Sequence, residues 1–268
     1  LDRWHILPDD SAGTPLHLTP PGRFLRHVAA LMAAPLDAQT LLTVLKHPLT
    51  HADDRRNWHQ LTVQKFELLL RREGVPFPTA DNIRALAAKL VKHDHPEHAA
   101  HVAWGAWVAD VMCRAVDAAP RPLQDWLDIH LARAEAIAGG PNADPAELWA
   151  KAAGQEARRI IGLLQDAADH GGAMSISDYD RLLTSVLMQG EARDRDAPHP
   201  NIMIWGTIEA RVQGADLIIL GSLNDGIWPA AVASDPWLTR ALRKEAGLLS
   251  PDRRIGLSAH DYQQAIGA

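Results

Sequence analysis

One stretch constrains the fold more than any other: Asn201 to Pro229, NIMIWGTIEARVQGADLIILGSLNDGIWP. It is the part of the chain that reads as strand, loop, strand, turn. A short run of Ile, Met and Trp spans 201–205, and Leu217, Ile218, Ile219 and Leu220 stand consecutively within 215–221. Apolar runs this short, closed by Gly, predict strands buried on both faces, as in a parallel sheet. The polar loop 206–214 joins them. Loops beyond the carboxyl ends of parallel strands are where α/β folds place ligands, so a site is expected here.

Ahead of that stretch the periodicity is helical throughout. Residues 20–190 read as about eight helices with no strand between them and no internal repeat. Thr19-Pro-Pro-Gly opens the first, with Phe24, Leu25, Val28, Leu31 and Met32 on one face. Asp37 caps the second, and Thr79 or Asp81 caps a later one. Trp58, Leu61, Phe66, Leu69 and Leu70 form the inward stripe of a helix near 56–73, and a helix near 96–118 follows the one Thr79 or Asp81 caps. One long helix is expected from Asp144-Pro through Trp149, Ile160, Leu163 and Leu164, and Ser177 is expected to cap the last of the block. After Pro229, helices are expected from Ser234-Asp-Pro-Trp and through His260 to Ile266. The expected class is therefore mostly α with a small parallel β part, an α/β arrangement. Its parts are an entry segment 1–20, a helical block 21–190, and a second α/β segment 191–268 with strands near 201–205 and 215–221.

Composition excludes several classes. A hydrophobic content of 47% suffices for a real core. No apolar run approaches the roughly 18 residues of a membrane span, and no signal peptide is visible, so a cytoplasmic protein without membrane contact is expected. The net charge of -6 gives no global basic signal for nucleic acid, although a local basic face is compatible with it. A single cysteine, Cys113, rules out an internal disulfide or a multi-cysteine metal site within these residues. The chain opens at Leu1 in what reads as mid-segment and ends just after a helical pattern, so it reads as an internal piece of a longer protein.

Candidate chemistry is sparse. His93, His95, His98 and His101 cluster at a helix start, but among 14 His a solvated helix end explains them better than a metal. The acidic pairs Asp9–Asp10, Asp53–Asp54 and Asp194 with Asp196 sit in turns and read as solvated. No nucleophile elbow and no phosphate loop occurs, and no catalytic residue is assigned. Trp104, Trp107, Trp126 and Trp149 lie on helix stripes and read as core. Trp205, Trp228 and Trp237, near the expected strand ends, include a candidate stacking platform. The loop itself offers Thr207, Glu209, Arg211 and Gln213, with Thr and Arg suited to phosphate. The alternative is an ordinary crossover.

Several pieces of the chain, in order, resemble the AddB-type subunits of bacterial AddAB helicase–nucleases, in their alphaproteobacterial form. They are Pro8-Asp-Asp-Ser-Ala-Gly, Pro21-Gly-Arg-Phe-Leu, Leu45-Lys-His-Pro-Leu-Thr, Gly206-Thr-Ile-Glu-Ala-Arg, Asp216-Leu-Ile-Ile-Leu-Gly-Ser-Leu-Asn-Asp-Gly-Ile-Trp-Pro and Asp252-Arg-Arg-Ile-Gly-Leu-Ser-Ala-His-Asp. The resemblance implies a partial RecA-like helicase domain carrying a large helical insertion. In active relatives the matching loop reads Thr-x-His-x-x-Lys-Gly-Leu-Glu, and its Glu contacts the nucleotide ribose. Here Thr207 falls at the His, Ala210-Arg211 at the Lys-Gly, Val212 at the Leu and Gln213 at the Glu. A neutral Gln lacks the acceptor strength of a carboxylate.

The resemblance therefore implies a helicase-like scaffold within a complex that repairs DNA double-strand breaks, with DNA and an AddA-type motor subunit as partners. ATP, Mg²⁺, an iron–sulfur cluster and a nuclease belong to the wider family. None of their sites is expected in these residues, which hold no complete active site. Arg211, Arg253, Arg254 and Asn224 are candidate DNA contacts by position. The alternatives are a helical protein–protein module without a nucleic-acid role, or part of an active ATP-dependent helicase.

Overall fold

The computed structural model describes residues 1–52, 55–117, 119–141, 145–193, 199, 201–211, 213–231, 235 and 237–267. In chain order the strands are β1 (Asp9–Asp10), β2 (Thr14–Pro15), β3 (Arg121–Pro122), β4 (Ala173–Met174), β5 (Glu191–Ala192) and β6 (Met203–Ile204). The helices are α1 (Pro20–Ala33), α2 (Ala38–Leu45), α3 (Arg56–Arg72), α4 (Ala80–Ala88), α5 (His98–Cys113), α6 (Leu123–Gly139), α7 (Ala146–Trp149), α8 (Lys151–Asp166), α9 (Ile176–Leu187), α10 (Arg240–Glu245) and α11 (Arg253–Gly267). The chain is thus mostly helical with one small parallel pair of strands. It divides into a helical unit, Gly13–Asp194, and a second unit made of Leu1–Ala12 with Arg195–Ala268.

In the helical unit, side-chain caps set the starts of α1, α2, α4 and α9. Asp37 accepts the Thr40 N–H at 2.6 Å, and Thr79 with Asn82 forms a reciprocal capping box. Apolar faces then merge into one core running from Leu16 to Ala192. Trp104, Trp126, Tyr179, Phe24 and Phe66 are its largest fully buried members. Each aromatic or aliphatic side chain removed from water contributes about 1.5–3 kcal/mol. α4 and α5 approach closely, and a Cβ added to Gly105 would lie 2.2 Å from Ala87 Cβ.

Polar groups inside this core are tied down. His130 donates from Nε2 to the Leu25 carbonyl at 2.9 Å and accepts the Tyr179 hydroxyl at Nδ1 at 2.7 Å. Trp104 donates to His59 Nδ1 at 3.0 Å, while His59 Nε2 meets the Leu45 carbonyl. Arg133 is buried without a carboxylate; its guanidinium donates to the Val111 and Met112 carbonyls at 2.8 and 2.7 Å, closing the end of α5. Burial lowers its pKa to about 10.

The second unit is built differently. β1 pairs in parallel with β6, Asp9 opposite Met203 and Asp10 opposite Ile204. No strand forms at 215–221, contrary to expectation: Leu217 is 77% and Ile219 83% exposed. A strand needs a ladder partner, and β6 takes β1 instead. Met203 and Ile204 are themselves exposed rather than buried on both faces. Among the described residues of this unit, only Asp261 and Ala265 are buried.

Local corrections follow the same logic of tertiary contact. The long helix expected from Asp144 is two, α7 and α8, parted at Ala150 with Lys151 at a φ of 57°. Trp149 bonds Glu135 of α6 at 2.9 Å, and Gly154 packs against the Trp149 backbone. Ser175, not Ser177, caps α9, accepting the Asp178 N–H. Leu61 and Leu163 face solvent rather than the core. α10 starts behind a Thr239 cap. The expected roles of Asp53, Asp54, Asp144, Asp194, Asp196, Val212 and Ser234 fall outside the described residues.

Candidate nucleic-acid interface

The loop after β6 is organised by a residue far away in sequence. Gly206 donates its N–H to Ser11 Oγ at 3.0 Å, directly beyond the β1–β6 pair. The chain then turns into a short 3-10 segment, Glu209–Arg211, whose first bond runs from the Ala210 N–H to the Gly206 carbonyl. A Cβ at Gly206 would lie 2.7 Å from Glu209 Oε2, so the carboxylate folds back over the start of the turn.

Of the candidate contacts, Arg211 is already engaged. Its Nε donates to Asp261 of α11 at 2.6 Å, and Asp261 is 8% exposed. That hydrogen bond raises the arginine pKa. Arg211 therefore fastens the loop to α11 through its Nε. Thr207 and Gln213 are exposed, and Glu209 is half-buried. Asn224 uses its carbonyl to close a turn, accepting the Ile227 and Trp228 N–H groups at 3.0 Å. Arg253 and Arg254 are exposed in the first turn of α11. Cations there oppose the helix dipole, which is unfavourable unless an anion offsets them. Of the three Trp near the expected strand ends, Trp237 is 86% exposed, while Trp205 and Trp228 are half-buried.

The structure thus joins Thr207, Glu209 and Arg211 to one turn and does not bring Asn224, Arg253 or Arg254 into a hydrogen-bonded set with them. Sequence reasoning missed Ser11 and Asp261. Both partners lie far off in the chain, about 195 and 50 residues away, and no local pattern marks them.

The loop's one arginine, Arg211, keeps its Nε on Asp261. His93 and His98 have their rings 4.7 Å apart, but no group of three or more His, Cys, Asp or Glu suited to a metal occurs among the described residues. No helix among them is long and apolar enough to cross a membrane. Between α2 and α3 of the helical unit lies an open groove of about 710 Å³, with Leu42, Leu70, Val75 and Pro76 as its floor and Lys46, Glu67 and Arg71 at its rim.

No protein-family model matches this chain, and no curated protein or solved structure matches it either.

Proposed function

We propose that this chain is a helicase-like scaffold that supports DNA end binding. More particularly, it is part of an AddB-type subunit of a helicase–nuclease that resects double-strand breaks for homologous recombination, beside an AddA-type motor. One observation carries the reading. The segment Pro8-Asp-Asp-Ser-Ala-Gly pairs in parallel with Met203–Ile204, and its Ser11 hydroxyl accepts the N–H of Gly206, the first residue of Gly206-Thr-Ile-Glu-Ala-Arg, so that two separate pieces of the resemblance meet. Two more pieces meet in the helical unit, where the Phe24 and His47 rings lie 5.1 Å apart. The large helical unit interrupting the second unit agrees with an insertion in a RecA-like frame. The exposed run at Leu217 and Ile219 is the kind of surface a partner subunit covers.

The scaffold reading assigns no nucleotide chemistry to the loop. Its role is to hold Arg253, Arg254 and Trp237 on a stable turn–helix frame, for phosphate contact and for base stacking. The test is DNA binding by the whole chain, alone and with an AddA-type partner, across rising salt. Affinity is expected to fall by about 0.7 log units per log unit of salt for each phosphate neutralised on a single strand. Binding that is absent, or insensitive to salt, would sink the proposal and leave the helical protein–protein module as the better reading.

A further inference from the structure

Three buried side-chain nitrogens without a hydrogen-bond partner among the described residues belong to the surroundings of one helix, α1: His17 Nδ1, Arg26 Nε and His47 Nε2. His47 is the most informative. Leu49 donates its N–H to His47 Nδ1 at 3.2 Å. Nδ1 is therefore an acceptor, and the proton of the neutral ring sits on Nε2. His47 is only 7% exposed, so this is a buried donor with no acceptor among the described residues. Its ring lies 5.1 Å from Phe24 and 6.1 Å from His27, centre to centre.

The neighbours are cations. Arg23 and His27 stand one turn apart on α1, and Arg56 opens α3, where it donates to the Thr50 carbonyl at 3.2 Å. Burial first, then the charges of His27, Arg23 and Arg56, hold the His47 pKa down to about 4. His27 is likewise lowered by burial, then by Arg26 and Arg23. Among the described residues no carboxylate pairs with Arg23, Arg26 or Arg56; Asp180 of α9 feels the Arg26 charge without bonding to it. The first turn of α1 carries no acid either.

We propose that Arg23, His27, His47 and Arg56 form an anion site in the helical unit that takes a phosphate group. The buried His47 N–H is the neutral donor that fixes one oxygen. The two guanidinium groups supply charge-assisted bonds to the others. His27, half-exposed, is the member facing the approach from solvent. A phosphate of a DNA strand and free phosphate share this chemistry. The DNA strand is the source that follows from the proposed function, on which that part of the inference rests.

The experiment titrates inorganic phosphate into the whole chain and follows the His27 and His47 ring resonances. Saturable shifts of both rings are expected, with the His27 pKa moving upward as the anion offsets the arginines. Arg23→Gln, an exposed position that leaves the core intact, is expected to weaken phosphate at least several-fold with an unchanged melting temperature. Arg56→Gln is the second variant. A single-stranded oligonucleotide is then competed against phosphate. Displacement of phosphate, with weaker oligonucleotide binding and a shallower salt slope in the Arg23→Gln protein, supports the site and its DNA source. Phosphate binding without competition leaves the anion site standing and removes its DNA source. Rings that do not respond to phosphate overturn the site, even if the oligonucleotide binds elsewhere.

Discussion

At the scale of single residues, the buried polar groups carry the sharpest expectations. His47 and His130 both have pKa values lowered to about 4, chiefly by burial. The unfolded chain, with His near 6.5, takes up protons that the fold refuses. Stability is therefore complete above about pH 6.5 and falls as the pH drops toward 4, by on the order of 3 kcal/mol for each ring. Urea melts at a series of pH values check this, and His130→Phe is expected to lower stability at neutral pH while flattening the pH slope. Arg133→Met is expected to cost about 2–4 kcal/mol by chemical denaturation, because the Val111 and Met112 carbonyls lose their donors in a buried place. Arg211→Ala tests a different role. It leaves the Asp261 carboxylate without its partner, so hydrogen exchange along α11 is expected to accelerate. If Arg211→Ala instead lowers DNA affinity and leaves α11 protection unchanged, Arg211 is a ligand contact rather than a fastening.

Among elements, the α4–α5 pair is governed by a missing side chain. Gly105 brings α5 against Ala87 so closely that an added methyl would lie 2.2 Å from its Cβ. Gly105→Ala must push the helices apart, and a loss of about 1–3 kcal/mol is expected. Ala87→Gly in the same chain is expected to restore part of it, an outcome that simple loss of backbone freedom at residue 105 does not produce. The caps of α2 and α4 were legible because Asp37 and Thr79 act on backbone groups three residues on. The division between α7 and α8 was not, because it follows from Trp149 reaching Glu135 on another helix. The absence of a strand at 215–221 belongs here too. Four consecutive apolar residues satisfy the side-chain rule for a buried strand, but a ladder requires a neighbouring backbone.

For the whole molecule, the two units differ in what can hold them together. The helical unit encloses a continuous core from Leu16 to Ala192, whereas the second unit buries only Asp261 and Ala265 among its described residues. Residues 13–194 expressed alone are therefore expected to melt cooperatively, within a few degrees of the whole chain. In the whole chain, amides of 213–224 are expected to exchange fast and those of α1, α5 and α6 slowly. Equal protection in the two units would show that the second one gains its stability elsewhere.

The sequence by itself determined the helical character of residues 20–190, the stripes of Phe24, Phe66, Trp104 and Trp126, and most helix starts. Those follow from periodicity and from caps, which act over three or four residues. Tertiary structure decided that β6 pairs with β1, that Arg211 Nε reaches Asp261, and that the His47 N–H has no acceptor among the described residues. Each of these depends on which backbone or charge arrives from a distant part of the chain. The loop after β6 is a case of both: its Gly206 and Glu209 are visible in the sequence, and the Ser11 hydroxyl that anchors it is supplied only by the fold.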